Sequence, residues 1–341
     1  MRIVPDFHTA AQDQAAVCRR VHLALKRHVL WDIDEDPGLL NVMLSHVSHP
    51  AVVAIAFALQ CASRSGEVSL ERNSDLKQKI RYAANACASF DTQPTSSGAA
   101  LWKSVDLALP QHHLCESVTR ALAVIPARHD SRGNGDGEVL SSEVIPWRSA
   151  DRAIFRKTVD LLHAAWPQML AELREIIYQV ALLRGKAIDG FTDFGVHGAI
   201  MINQARLVSD DTGLPGAVRL AEALVHEGAH TRCNAAAVGR PFLLPANGSG
   251  DLVQTPLRAD PRPLAGLFQQ LIVLVRSALL YRRLPGGASD PAHHARQDKL
   301  IDQAHQGAET LTRHVPALTD HGREVLAEAR ALLDGELAGA Y

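Results

Sequence analysis

Runs of apolar residues at helical spacing, most of them closed by a proline, recur along nearly the whole chain. From Thr9 to Leu30 the stripe is Val17, Val21 and Leu25, flanked by Leu23 and Val29. The segment Asp32-Ile33-Asp34-Glu35-Asp36-Pro37-Gly38 ends that helix and opens a second, with Leu39, Leu40, Met43, Leu44 and Val47, which Pro50 closes. Ala51–Ala62 is apolar all round and so is buried whatever its conformation. Further helices are expected over Glu71–Phe90, Leu114–Ile125, Ser149–Leu183 with a bend at Pro167, Pro263–Arg283, Pro291–His314 and Pro316–Leu337. Alanine and leucine abound and aromatic residues make up only 5%, which favours helix. The pattern changes at Gly195-Val196-His197-Gly198-Ala199-Ile200-Met201-Ile202-Asn203, a glycine-flanked, β-rich stretch that reads as a strand. The expected fold is therefore mostly α (α+β): a helical N-terminal half, a zincin-like helix beside a small β-sheet, and a helical C-terminus.

Arg128–Gly137 (RHDSRGNGDG) is glycine-rich and polar and has almost nothing to bury. It divides the chain into a helical region over 1–127, a flexible loop or linker over 128–138, and a catalytic region over 139–341. A net charge of −2 gives no general affinity for nucleic acid or an acidic membrane. The N-terminus lacks the apolar core of a signal peptide, and the longest uninterrupted apolar runs, Ala51–Leu59 and Leu271–Val275, are too short to span a bilayer. Five scattered cysteines without a CxxC pair are those of a reduced, cytoplasmic protein.

Inside the helix expected over about Pro215–Cys233 lies His226-Glu227-Gly228-Ala229-His230, an HExxH pattern. Histidines four apart stack on one helix face, where a single divalent ion can take both imidazoles. Glu227 projects toward the edge of the same site, and as a general base it would suit a zinc peptidase. The motif also arises by chance in histidine-rich chains, so its surroundings matter. The extended pattern HExxHxxGxxH is excluded, because positions 233 and 236 hold Cys233 and Ala236. A thermolysin-like third ligand is missing too, since no glutamate occurs between Glu227 and Glu309. Asp251, Asp260 and the neutral Gln269 are the remaining candidates for a third position.

Three stretches occur in order: Phe194–Asn203, the run AEALVHEGAH over Ala221–His230, and RADPRPLAGL over Arg258–Leu267. Together, over roughly Trp166–Arg283, they resemble the HExxH-motif peptide-modification family, the 2-oxoglutarate-dependent HExxH-type peptide β-hydroxylases. The resemblance implies iron(II) and 2-oxoglutarate as cofactors, a ribosomally made precursor peptide as substrate, and other peptide-modifying enzymes as partners. It implies that His226 and His230 hold iron, that Glu227 orders a ligand or a bound water, and that Arg258 and Arg262 bind the far carboxylate of the cosubstrate. Family members commonly carry a histidine a few residues after DPRPL; here Leu267-Phe268-Gln269-Gln270 puts Gln269 at that third position.

Two other readings stand beside this one: a zinc metallopeptidase with an aspartate as third ligand, and a non-catalytic peptide-binding protein with a degenerate site. Glu222, one turn before His226, is a candidate acceptor for its imidazole or a solvated helix glutamate. Asp260 before Pro261 suits a helix cap. His197 either lines a peptide groove on the strand edge or is an ordinary surface histidine. The pairs His46/His49, His112/His113 and His293/His294 are expected to be exposed, and Cys233 to be a buried thiol.

Overall fold

A computed structural model describes residues 1–28, 37–65, 70–92, 102, 105–124, 141–245, 252–255, 258–285 and 290–338. The expected linker over 128–138 and Asp251 fall outside these residues. In chain order the helices are α1 (Phe7–His28), α2 (Pro37–Ser45), α3 (Pro50–Ser65), α4 (Leu70–Thr92), α5 (His112–Ala123), α6 (Ser149–Ala165), α7 (Pro167–Ile176), α8 (Gly216–Gly239), α9 (Leu264–Arg283), α10 (Pro291–Arg313) and α11 (Asp320–Asp334). The strands are β1 (Asp106–Ala108), β2 (Ser142–Ile145), β3 (Gln179–Gly185), β4 (Gly190–Thr192), β5 (Ala199–Asn203), β6 (Leu252–Thr255) and β7 (Arg258–Pro263). The chain is thus mostly α with a small mixed sheet, as its pattern implies.

One expected helix is corrected. The run over Ser149–Leu183 does break at Pro167, but Gln179–Gly185 is a strand. Its residues Gln179–Leu183 are all buried, so the strand shows no alternation and its apolar run mimics a buried helix.

The chain forms two compact units, and the division falls within α1 and within the first turn of α6. One comprises Val17–Arg152 and Ile177–Arg206 and contains the five-stranded sheet. There β3 pairs in parallel with β1 and β5, and antiparallel strands β2 and β4 add to β3 and β5. Leu114 and Val118 of α5 pack with Val144, Ala181, Leu183, Ala199 and Met201 of the strands. Since β3 lies on one side of β5 and β4 on the other over Ile200–Ile202, no edge of β5 is open there. The expected groove for an extended peptide along this strand is not present. His197, just before β5, is fully buried, and burial pushes its pKa down to about 4.

Two of the histidine pairs also depart from expectation in this unit. His49 is buried and its Nδ1 accepts the Ala51 N–H at the start of α3, 3.2 Å away. His113 is buried with Nε2 2.8 Å from Gln179 Oε1, while Gln179 Nε2 donates to Asp106 Oδ2 at 2.9 Å. Burial lowers the His113 pKa to about 4 against the opposing effect of the Gln179 hydrogen bond.

The other unit comprises Met1–Ala16, Ala153–Ile176 and Leu207–Tyr341. Its centre is α9, buried at every position from Leu271 to Tyr281 and packed against α8, α10 and α11. By length and composition α9 could cross a membrane, as could α2 and α3 together but for their 112° bend; most of the apolar stretch of α9 is buried in the protein. Arg258–Pro263 forms a hairpin with β6 where a loop and helix start were expected. The N-cap position of α9 is Pro263, and Asp260 falls within β7 rather than at that position. His293, expected at the surface, is buried at the start of α10 with its ring edge-on to Tyr281.

A charged cluster lies within this unit. Glu172 of α7 accepts from Arg276 Nη1 of α9 at 2.5 Å and lies 3.6 Å from Arg232 Nε of α8. Arg232 also pairs with Asp13 and donates to Thr9 Oγ1, and Arg276 donates to the carbonyls of Ile3 and Arg2. Both arginines are wholly buried and Glu172 is 1% exposed.

Candidate metal centre

Helix α8 begins at Gly216, where any Cβ would overlap the carbonyl of Leu207. Its start is further held by Arg219, which donates to the Val208 carbonyl and pairs with Asp210. From there the helix is buried on most sides. Its half-buried positions include Arg219, Ala223, His226, His230 and Asn234, spaced by four, three, four and four residues. That spacing is a single stripe of an α-helix, and both motif histidines lie on it. Glu227, next to His226, is 5% exposed and lies off the stripe.

The imidazoles of His226 and His230 have ring centres 5.3 Å apart and planes at 61°. An ion about 2.1 Å from one nitrogen of each ring would lie about 3.2 Å from each ring centre. Two centres at the observed separation then subtend about 110° at that ion, the angle between neighbouring ligands of a tetrahedral site. That spacing is the one that two imidazoles sharing a divalent ion would need. Among the described residues no group of three or more His, Cys, Asp or Glu side chains is placed to hold a metal. The side chains of Arg258 and Asp260 lie outside the described residues, and their backbone belongs to β7. Arg262, on the same strand, pairs with Val253 and is half-buried, two residues before α9.

Gln269 comes from the half-buried start of α9, where Ala265 and Gln270 are also half-buried and Gly266 is exposed. Its Oε1 is 2.9 Å from Nδ1 of His230, and its Nε2 donates to Oδ1 of Asn234 at 3.1 Å. Asn234 was not singled out from the sequence, although its place four residues after His230 puts it on the same stripe.

Glu222 is 3% exposed and is neither solvated nor held by one partner alone. Tyr281 of α9 donates its hydroxyl to Glu222 Oε2 at 2.6 Å, and Arg296 Nε of α10 donates to the same oxygen at 3.1 Å. Burial, reinforced by the Glu222 charge, pushes the Tyr281 phenol well above its usual range. For Arg296, burial opposes the charge, but the Glu222 carboxylate outweighs it and the guanidinium pKa rises. The three helices are thus tied together one turn below His226. Cys233 is fully buried, and burial pushes its thiol up to about 12, as an inert core residue.

No protein-family model matches the chain, and no curated protein matches it in sequence.

Proposed function

We propose that this chain is a cytoplasmic iron(II)- and 2-oxoglutarate-dependent hydroxylase that acts at a β-carbon of a ribosomally made precursor peptide. The observation that carries the reading is the spacing of the two imidazoles on the half-buried stripe of α8, which suits one shared ion. The run from Ala221 to His230, followed by Arg258–Leu267, supports the choice of chemistry through its resemblance to peptide β-hydroxylases. A zinc peptidase of the thermolysin type is the weaker reading, because α9, the next helix, carries no acidic residue to complete the ligand set.

His226 and His230 would hold the metal. With its cosubstrate, iron(II) supplies the oxygen activation needed to hydroxylate an unactivated carbon. In the overall balance, peptide C–H, dioxygen and 2-oxoglutarate become peptide C–OH, succinate and carbon dioxide. Arg258 and Arg262 are the candidates for the far carboxylate of the cosubstrate, where a guanidinium fork matches two oxygens. Glu227, off the stripe but beside it, would accept a hydrogen bond from a ligand or a bound water. Gln269, with both ends of its amide engaged by protein, is a poor candidate for a ligand.

The test is anaerobic loading with iron(II), followed by air, 2-oxoglutarate and a candidate precursor peptide sought among the short open reading frames near the gene. One added oxygen in the peptide and an equal amount of succinate are expected. Turnover that does not need 2-oxoglutarate would remove the proposal, and zinc-restored peptide cleavage would replace it with the peptidase. Tight peptide binding without any metal-dependent product would identify a relic site.

A further inference from the structure

We infer that Gln269 is a positioning residue, which fixes the imidazole of His230 as the Nδ1–H tautomer and so keeps the lone pair on Nε2 for a metal. The inference rests on the metal reading of the HExxH helix and adds to it a role for a residue that the motif does not contain.

The geometry is a short hydrogen-bonded chain across two helices. His230 and Asn234 are one turn apart on α8, and the amide of Gln269 from α9 spans the gap between them. A carboxamide has one accepting and one donating end. With Nε2 of Gln269 committed to Asn234 Oδ1, the end that meets His230 is the carbonyl. A carbonyl only accepts, so the imidazole must donate from Nδ1, and Nε2 is left as the basic nitrogen. The opposite tautomer would require both amides, Gln269 and Asn234, to turn over together. Metal-binding imidazoles are usually oriented in this way by a carboxylate or a carbonyl on their far nitrogen. Here a neutral amide does so, held in turn by its own partner.

The experiment compares unmutated protein with Gln269→Leu, Gln269→Glu and Asn234→Ala, using two readouts. Nitrogen-15 NMR of histidine-labelled, metal-free protein reports the tautomer of His230, assigned by its loss in His230→Gln. Titration with Co2+, followed by its visible absorption, reports metal affinity. The expected result is an Nδ1–H signal in unmutated protein and in Gln269→Glu, and a shift toward Nε2–H or a mixture in Gln269→Leu. Co2+ affinity should fall about 10–100-fold in Gln269→Leu and be restored in Gln269→Glu. Asn234→Ala, which leaves Gln269 in place but unheld, should give a mixed tautomer and a smaller loss; it carries the test if the leucine variant does not fold. Unchanged tautomer and affinity in the variants, with Co2+ bound by unmutated protein and lost in His226→Ala, would overturn the role of Gln269 alone. No Co2+ binding by unmutated protein would overturn the metal reading and this inference with it.

Discussion

Replacing Glu172 by alanine should destabilise the unit that carries the candidate metal centre by about 3–5 kcal/mol, the usual cost of removing one partner from a buried ion pair. Glu172 lies between two wholly buried guanidinium groups, Arg276 at 2.5 Å and Arg232 at 3.6 Å. Without it, Arg232 keeps Asp13 and Thr9, but Arg276 keeps only the carbonyls of Ile3 and Arg2. One buried charge therefore loses its only nearby carboxylate among the ion pairs described, and the Asp6 N–H loses its acceptor, Glu172 Oε2, at 3.0 Å. Glu172→Gln retains an acceptor and should cost less, roughly 2 kcal/mol, in the range of a hydrogen bond to a charged group. Urea unfolding followed by circular dichroism measures both variants. Since a single domain is stable by only about 5–15 kcal/mol, the alanine variant should show a large fall in midpoint. A loss below about 1 kcal/mol would refute the reasoning, because it would mean that Arg276 finds water or another partner at little cost. The cluster also joins α8 and α9 beyond His230 and Gln269, so the alanine variant should weaken Co2+ binding without touching a ligand.

Acid should weaken the sheet-containing unit through two histidines that are buried and neutral. Unfolded imidazoles take up protons below about pH 6.5, whereas native His113 and His197 do so only below about 4, so stability is present above that window and is lost as the pH falls through it. Between pH 7 and pH 5 each should cost about 2 kcal/mol; the urea midpoint measures the sum, and a pH dependence equally steep in His113→Gln would count against the assignment. Thiol reagent on the native protein should modify Cys61 and Cys115, which are exposed, and leave Cys87 and Cys233 until unfolding. Cys115 should react more slowly than Cys61, because partial burial raises its pKa; rapid labelling of Cys233 would contradict its place in the core.

The helices were legible because each buries one stripe, and a stripe leaves a period in the sequence that proline then truncates. Strand β3 was not, since a strand covered on both faces has no period to read. The β6–β7 hairpin was hidden for another reason: Pro261 and Pro263 in β7 cannot donate to a ladder and ordinarily argue against a strand, yet a two-stranded edge tolerates them. At the candidate site, the facing of His226 and His230 followed from their spacing alone. The partners of His230 and Glu222 did not, because Gln269, Tyr281 and Arg296 come from other helices, 39, 59 and 74 residues away in sequence. Only the packing of α9 and α10 on α8 brings them in.

The contact at Gly216 acts as a mechanical stop for everything that follows it on α8. Any Cβ there would overlap the backbone of Leu207 and Val208, so even a methyl group forces either that turn or the foot of the helix that carries His226, ten residues on, to shift. Residue 216 is therefore a place from which the candidate centre could be perturbed while His226 and His230 themselves stay unchanged.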